Sequence, residues 1–232
     1  MLISYPASKR FIFALSVMLG IVPFARAATY TDTSGDTQAS PTSTNLDIGS
    51  VDVSHTATDL VVTVNTAGSL ASPNDWGRYM IALNTDGNTA TGQNVDMDPY
   101  GTHPIGLTGA DFWFTAEPDA GTDNFYQWTG SSWNWLGTIP ASAGTNSVTF
   151  SMPLATLGVS DGAAITFDVY TTGSFSGDPA IDALSNPNPT VATWTNTPYN
   201  SGSQVSTYVV PEPTSLAGVA VVLVSLMRRR AR

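Results

Sequence analysis

Two groups of residues carry side chains suited to chemistry, one to holding a hard cation and one to stacking on a sugar. Asp32 and Asp36 flank a turn in Thr31-Asp-Thr-Ser-Gly-Asp36. Asn84, Asp86 and Asn88 place oxygen-bearing side chains at alternate positions around Gly87, with Asp96 and Asp98 downstream. Alternating oxygens about a glycine turn resemble the first half of an EF-hand loop, which would suit calcium. The bidentate Glu that closes such a loop at its twelfth position is missing, because Val95 stands there. Two readings follow, a calcium site or plain turn chemistry in which Asn and Asp side chains bond to nearby backbone. His55 and His103 are the only histidines and lie far from each other in a chain without cysteine, so packing or solvent-facing roles suit them better than metal ligation.

The second group is aromatic. Tyr126, Trp128, Trp133 and Trp135 fall within Asn124-Phe-Tyr-Gln-Trp-Thr-Gly-Ser-Ser-Trp-Asn-Trp-Leu136, which predicts two strands joined by a tight turn at Thr129 to Ser132. Side chains alternate along a strand, so Tyr126 and Trp128 share one face, and Trp133 and Trp135 share one face of the partner strand. Aromatic planes suit the C–H faces of sugar rings, and a rigid aromatic shelf loses little entropy on binding. Either these rings form such a shelf, or they fill a core and pair across strands.

Catalytic signatures are lacking. The chain has no Gly-x-Ser-x-Gly elbow, no His-Glu-x-x-His pair, no phosphate loop, and no lysine between residues 28 and 208 for Schiff-base chemistry. A carboxylate pair of the glycosidase type cannot be picked out by spacing where aspartate is so common. The expectation is a protein that is not an enzyme.

The elements that must position these groups come from residues 28–208, a normal length for one domain with a sizeable core. That span holds sixteen aspartates and Glu117 against a single basic residue, Arg78, a formal charge of about −16 that the whole-chain value of −10 conceals. Nucleic-acid binding needs Lys and Arg to displace counterions, so nucleic acid is excluded as a partner. Zero cysteines exclude disulfides and Cys-ligated zinc.

Short runs alternate apolar and polar residues between Gly, Asn, Asp, Ser and Pro. Leu60, Val62 and Val64 share a face, as do Tyr79, Ile81 and Leu83, then Phe112 and Phe114, then Val148, Phe150 and Met152, then Ile165, Phe167 and Val169. This period of two predicts an all-β fold, an antiparallel β-sandwich with little helix. Pro153 to Gly158 reads as one helical turn. Ser174 to Pro189 reads as a long loop leading to a late strand around Val191 to Thr195.

The succession Asp47 to His55, Asp59 to Asn65, Tyr79 to Gly92, Gly109 to Phe114, Tyr126 to Trp133 and Phe150 to Leu154 resembles the DOMON-like superfamily, which includes family 9 carbohydrate-binding modules. The resemblance spans roughly Thr31 to Thr172 and implies a jelly-roll-like sandwich. Neither the paired sugar-stacking tryptophans of the family 9 modules nor the haem-ligating pattern of cytochrome-type members can be aligned to positions here.

The two ends read as targeting segments. Lys9 and Arg10 precede the apolar stretch Phe11 to Phe24 and an Ala25-Arg26-Ala27 cleavage site, so residues 1–27 form a signal peptide for signal peptidase. In residues 209–232, Pro211, Glu212 and Pro213 precede an apolar run from Leu216 to Met227 and a basic cluster of Arg228, Arg229, Arg230 and Arg232. As a helix that run covers roughly 18 Å of a hydrocarbon core of about 30 Å, a short membrane helix that the arginines hold at the cytoplasmic face.

This order of parts resembles the PEP-CTERM sorting signal of Gram-negative bacteria, a tail also labelled an ice-binding protein C-terminal domain. The resemblance implies an exosortase acting at Pro-Glu-Pro, export across the inner membrane, transient anchoring there, and a final place at the cell surface or outside the cell. Two roles fit: a carbohydrate-binding module acting on extracellular polysaccharide, or a structural matrix protein without a defined ligand.

Overall fold

The computed structural model describes residues 27–37, 44–70, 77–93, 99, 107–173, 180–184 and 206–211. The alternating runs form antiparallel strands, as expected of residues that bury every second side chain. One sheet has the order β1 (Ala28–Thr31), β2 (Ile48–His55), β3 (Asp59–Thr66), β9 (Ser147–Pro153) and β8 (Ala141–Ala143). The other runs β11 (Ala180–Ala183), β10 (Ala164–Thr172), β4 (Arg78–Asn84), β5 (Phe112–Glu117), β6 (Thr122–Trp128) and β7 (Trp133–Gly137), with β12 (Ser206–Val209) also paired to β10.

The two sheets share one core. Val62, Val64, Phe150 and Met152 of the first sheet and Ile81, Leu83, Phe114, Phe167 and Val169 of the second are all buried in it. Each of the five alternating sets read from the sequence points inward. Burial of one such Val, Leu, Ile or Phe side chain stabilises the fold by about 1.5–3 kcal/mol, so these faces set the register of every strand.

The helical turn α1 (Leu154–Leu157) links the sheets between β9 and β10. Pro153 precedes it at φ −61°, and Gly158 ends it at φ 66°, a left-handed conformation that favours glycine. Leu154 and Leu157 are buried against the core.

The expected loop from Ser174 to Pro189 needs correction, because β11 lies inside it and pairs with the end of β10 through Tyr170–Ala183 and Thr171–Asp182. Ala-Ile-Asp-Ala is too short to show a period, so only its tertiary partners reveal it as a strand. The strand expected around Val191 to Thr195 lies outside the described residues. Pairing begins at Ala28, opposite Val53, and on β12 it runs through Val209, opposite Ala164. The backbone of the buried Val210 continues beyond it with bonds to Gly162 and Ala163.

The expected signal and membrane helices, Glu212, Pro213 and the arginines Arg228, Arg229, Arg230 and Arg232 all lie outside the described residues. Among those described, no helix is long and apolar enough to cross a membrane.

Candidate functional site: an aromatic face and an aspartate cluster

Register decides where the aromatic residues go. Trp113 on β5 stands opposite Tyr126 on β6, which stands opposite Trp135 on β7, and Trp128 stands opposite Trp133. Their neighbours Phe112, Phe114 and Phe125 fill the shared core, so all five of these rings lie on the outer face of the second sheet. The hairpin turn is closed by Thr129, whose backbone N–H and hydroxyl both donate to the Ser132 carbonyl, at 2.9 and 2.8 Å.

Within this face the rings divide by burial. Trp113 is completely buried, stacks on Tyr170 of β10 at 5.9 Å, and meets Trp133 at 6.4 Å. Trp133 in turn meets Trp128 edge to face at 5.4 Å. Trp135 is 57% exposed, and its indole N–H donates to Asn124 Oδ1 at 3.1 Å, which fixes the ring plane. Tyr126, Trp128 and Trp133 are half-buried.

The rings thus differ in exposure. The buried set anchors the hairpin, and Trp135 presents a plane to solvent. The sequence reading passed over Trp113, although its alternation with Phe112 and Phe114 places it on the opposite face. At the far end of the same face, the only basic residue of the span, Arg78, pairs with Glu117 across β4 and β5. Two polar atoms on the face, Trp113 Nε1 and Thr115 Oγ1, are buried without a hydrogen-bond partner among the described residues.

The aspartates sort themselves differently from their spacing. Asn84 accepts from the Gly87 N–H at 2.8 Å and donates to the Thr108 carbonyl at 3.2 Å. Asp86 accepts from the Asn88 N–H and the Thr91 hydroxyl, while Asn88 accepts from the Ala90 N–H. These bonds shape the turn, and among the described residues Asp86 belongs to no cluster of three or more acidic or histidine side chains spaced for a metal. Asp96 and Asp98 lie outside the described residues. His55 bonds through Nδ1 to the Tyr208 hydroxyl at 2.8 Å, a packing role, and His103 lies outside the described residues.

Asp32 and Asp36 do come together, with a third residue that spacing did not reveal. One carboxylate oxygen each of Asp32, Asp36 and Asp182 lies within 4.8 Å of the others. Asp47 supports the turn that carries Asp36, accepting the Gly35 N–H at 2.9 and 3.1 Å. Burial lifts the Asp182 carboxyl to about 8, against the bonds it accepts from Ile48 and Ala183, and nearby Asp32 and Asp36 raise it further. Burial likewise lifts Asp32 to about 7, and it raises Asp36 and Asp47 above the usual range.

No protein-family model matches the chain, and no curated protein matches it either.

Proposed function

We propose that this protein is an exported, non-catalytic glycan-binding module that acts on extracellular polysaccharide. The observation that carries the reading is the aromatic face of the β6–β7 hairpin, where Trp135 stands 57% exposed with its ring plane held by Asn124. A ring held in one orientation gives up little freedom when a sugar stacks on it, and the buried Trp113 on the neighbouring strand, packed against Trp133, braces the hairpin. The fold fits a jelly-roll-like, DOMON-like sandwich, an architecture to which sugar-binding modules belong.

The ends fit export. Among the described residues, strand pairing starts at Ala28, the first residue after the expected signal-peptidase site, and the last buried residue, Val210, directly precedes Pro211. An exosortase would act at Pro211, Glu212 and Pro213, which follow directly on Val210 in the sequence. In this reading the apolar run and Arg228, Arg229, Arg230 and Arg232 hold the chain transiently in the inner membrane of a Gram-negative bacterium, before its release to the cell surface or beyond.

A structural matrix role without a defined ligand is the second reading. The mutual packing of Trp113, Trp128 and Trp133 favours it, since rings that satisfy one another need no ligand. Affinity electrophoresis of the full-length chain in mild detergent, against a panel of neutral and acidic polysaccharides, separates the two. Glycan binding predicts retardation in at least one gel, reduced about tenfold or more by Trp135→Ala. No retardation in any gel by the folded protein overturns it and leaves the matrix role.

A further inference from the structure

β1 and β11 are the edge strands on one side of the sandwich, one from each sheet. Asp32 follows directly on β1, Asp36 sits four residues on beyond the turn at Gly35, and Asp182 lies within β11. Three carboxylates from the two edges thus converge to within 4.8 Å. Asp182 is completely buried, and its two oxygens accept the backbone N–H groups of Ile48 at 2.6 Å and Ala183 at 2.8 Å. Among the described residues no hydrogen-bond donor reaches Asp32 Oδ2 or either oxygen of Asp36, atoms that are themselves buried on side chains of intermediate exposure.

Buried carboxylate oxygens without donors are costly, and three together repel one another. Among the described residues no cation relieves them, because Arg78, the only basic residue in residues 28–208, pairs with Glu117 on the other sheet face. When all three are ionised, as on displacement of their protons by a metal, they offer oxygen-only ligands with a joint charge of about −3, which suits a hard divalent cation. Calcium binds oxygen at about 2.3–2.6 Å, so ligands on opposite sides of the ion stand up to about 5 Å apart, in keeping with the spacing here.

We infer that Asp32, Asp36 and Asp182 hold one calcium ion, which clasps the β1 and β11 edges of the two sheets together. The clasp would also tie down two short strands that are edges among the described strands, and so limit their fraying. The inference is independent of the glycan reading, since the cluster lies on the β1–β11 edge and the tryptophan hairpin at the β7 edge.

The test uses full-length protein stripped with chelator, titrated calorimetrically with calcium chloride, then melted with and without the ion. The expected result is one equivalent bound with a Kd in the micromolar to millimolar range. At a hundredfold excess over Kd, the melting temperature rises by about 5–10 °C for a chain of this size. Amides of residues 28–36 and 180–184 should gain protection from hydrogen exchange when calcium is added.

Asp32→Asn and Asp36→Asn should each weaken calcium binding at least tenfold. In chelator at pH 8.5 they should melt no lower than the parent, because each removes a buried carboxylate that has no cation beside it among the described residues. Asp86→Asn, in the separate turn, should keep the full calcium response. The clasp is overturned if calcium produces neither heat nor a melting shift in the parent. It is equally overturned if both aspartate variants retain the shift, or if magnesium at the same concentration gives a shift as large.

Discussion

In the presence of chelator the protein should become more stable as the solution is acidified from pH 8.5 to 5.5. The folded state holds Asp182 at about 8 and Asp32 at about 7, both far above the ordinary 3.8, with burial as the main cause in each. Between those values the folded chain binds more protons than the unfolded one. The associated stability is therefore complete below about pH 4 and is lost as pH rises through about 7 to 8. Each unit corresponds to about 1.4 kcal/mol, so acidification to pH 5.5 recovers roughly 3 kcal/mol from Asp182. Asp32 adds about 1 kcal/mol once solvent screening is allowed for.

Around these two groups the described charges are Asp36, Asp47 and Asp168, all acidic, so no cation offsets the effect. At about 2–4 °C per kcal/mol, the melting temperature should rise by roughly 8–15 °C, read by tryptophan fluorescence across a pH series. Ordinary surface carboxylates stay ionised throughout this window, so the net charge of the chain contributes little. Saturating calcium should reverse the slope, because protons then compete with the ion for the same oxygens. A melting temperature that falls on acidification in chelator, or an unchanged slope in Asp182→Asn, would refute the reasoning.

Two further predictions concern other parts of the chain. Thr115→Val replaces a buried hydroxyl without a partner by a methyl group of the same shape, and should leave stability unchanged or raise it by about 1 kcal/mol in chemical denaturation. A loss above about 1 kcal/mol would mean that the hydroxyl is satisfied after all. Glu212→Ala should leave the N-terminus starting at Ala28 by mass spectrometry but retain the protein in the inner-membrane fraction; unaltered release would remove the sorting role from Pro-Glu-Pro.

Much of the fold was legible because its signals are local. Thr129 to Ser132 lies between two alternating aromatic runs, and Pro153 and Gly158 bracket α1 with their own backbone preferences. β11 was not legible, since four residues with a central aspartate show no period, and the strand exists through pairing with β10. The candidate site divides along the same line. Asp32 and Asp36 stand close in sequence, but Asp182 reaches them only because β1 and β11 occupy the same side of the sandwich. The Asn84-x-Asp86-x-Asn88 alternation resembles ligand spacing and turn chemistry alike, and the structure shows the turn chemistry, with each side-chain oxygen accepting a nearby backbone N–H.

The central claim rests on Trp135 as an open stacking plane. Its most direct test is quantitative tryptophan fluorescence of the full-length chain titrated with the polysaccharide that retards it most in electrophoresis. The account predicts a saturable blue shift in emission, as a sugar ring displaces water from the exposed indole, and loss of that shift in Trp135→Ala at an unchanged melting temperature. An emission spectrum that no polysaccharide moves, or a shift that survives in Trp135→Ala, would contradict it.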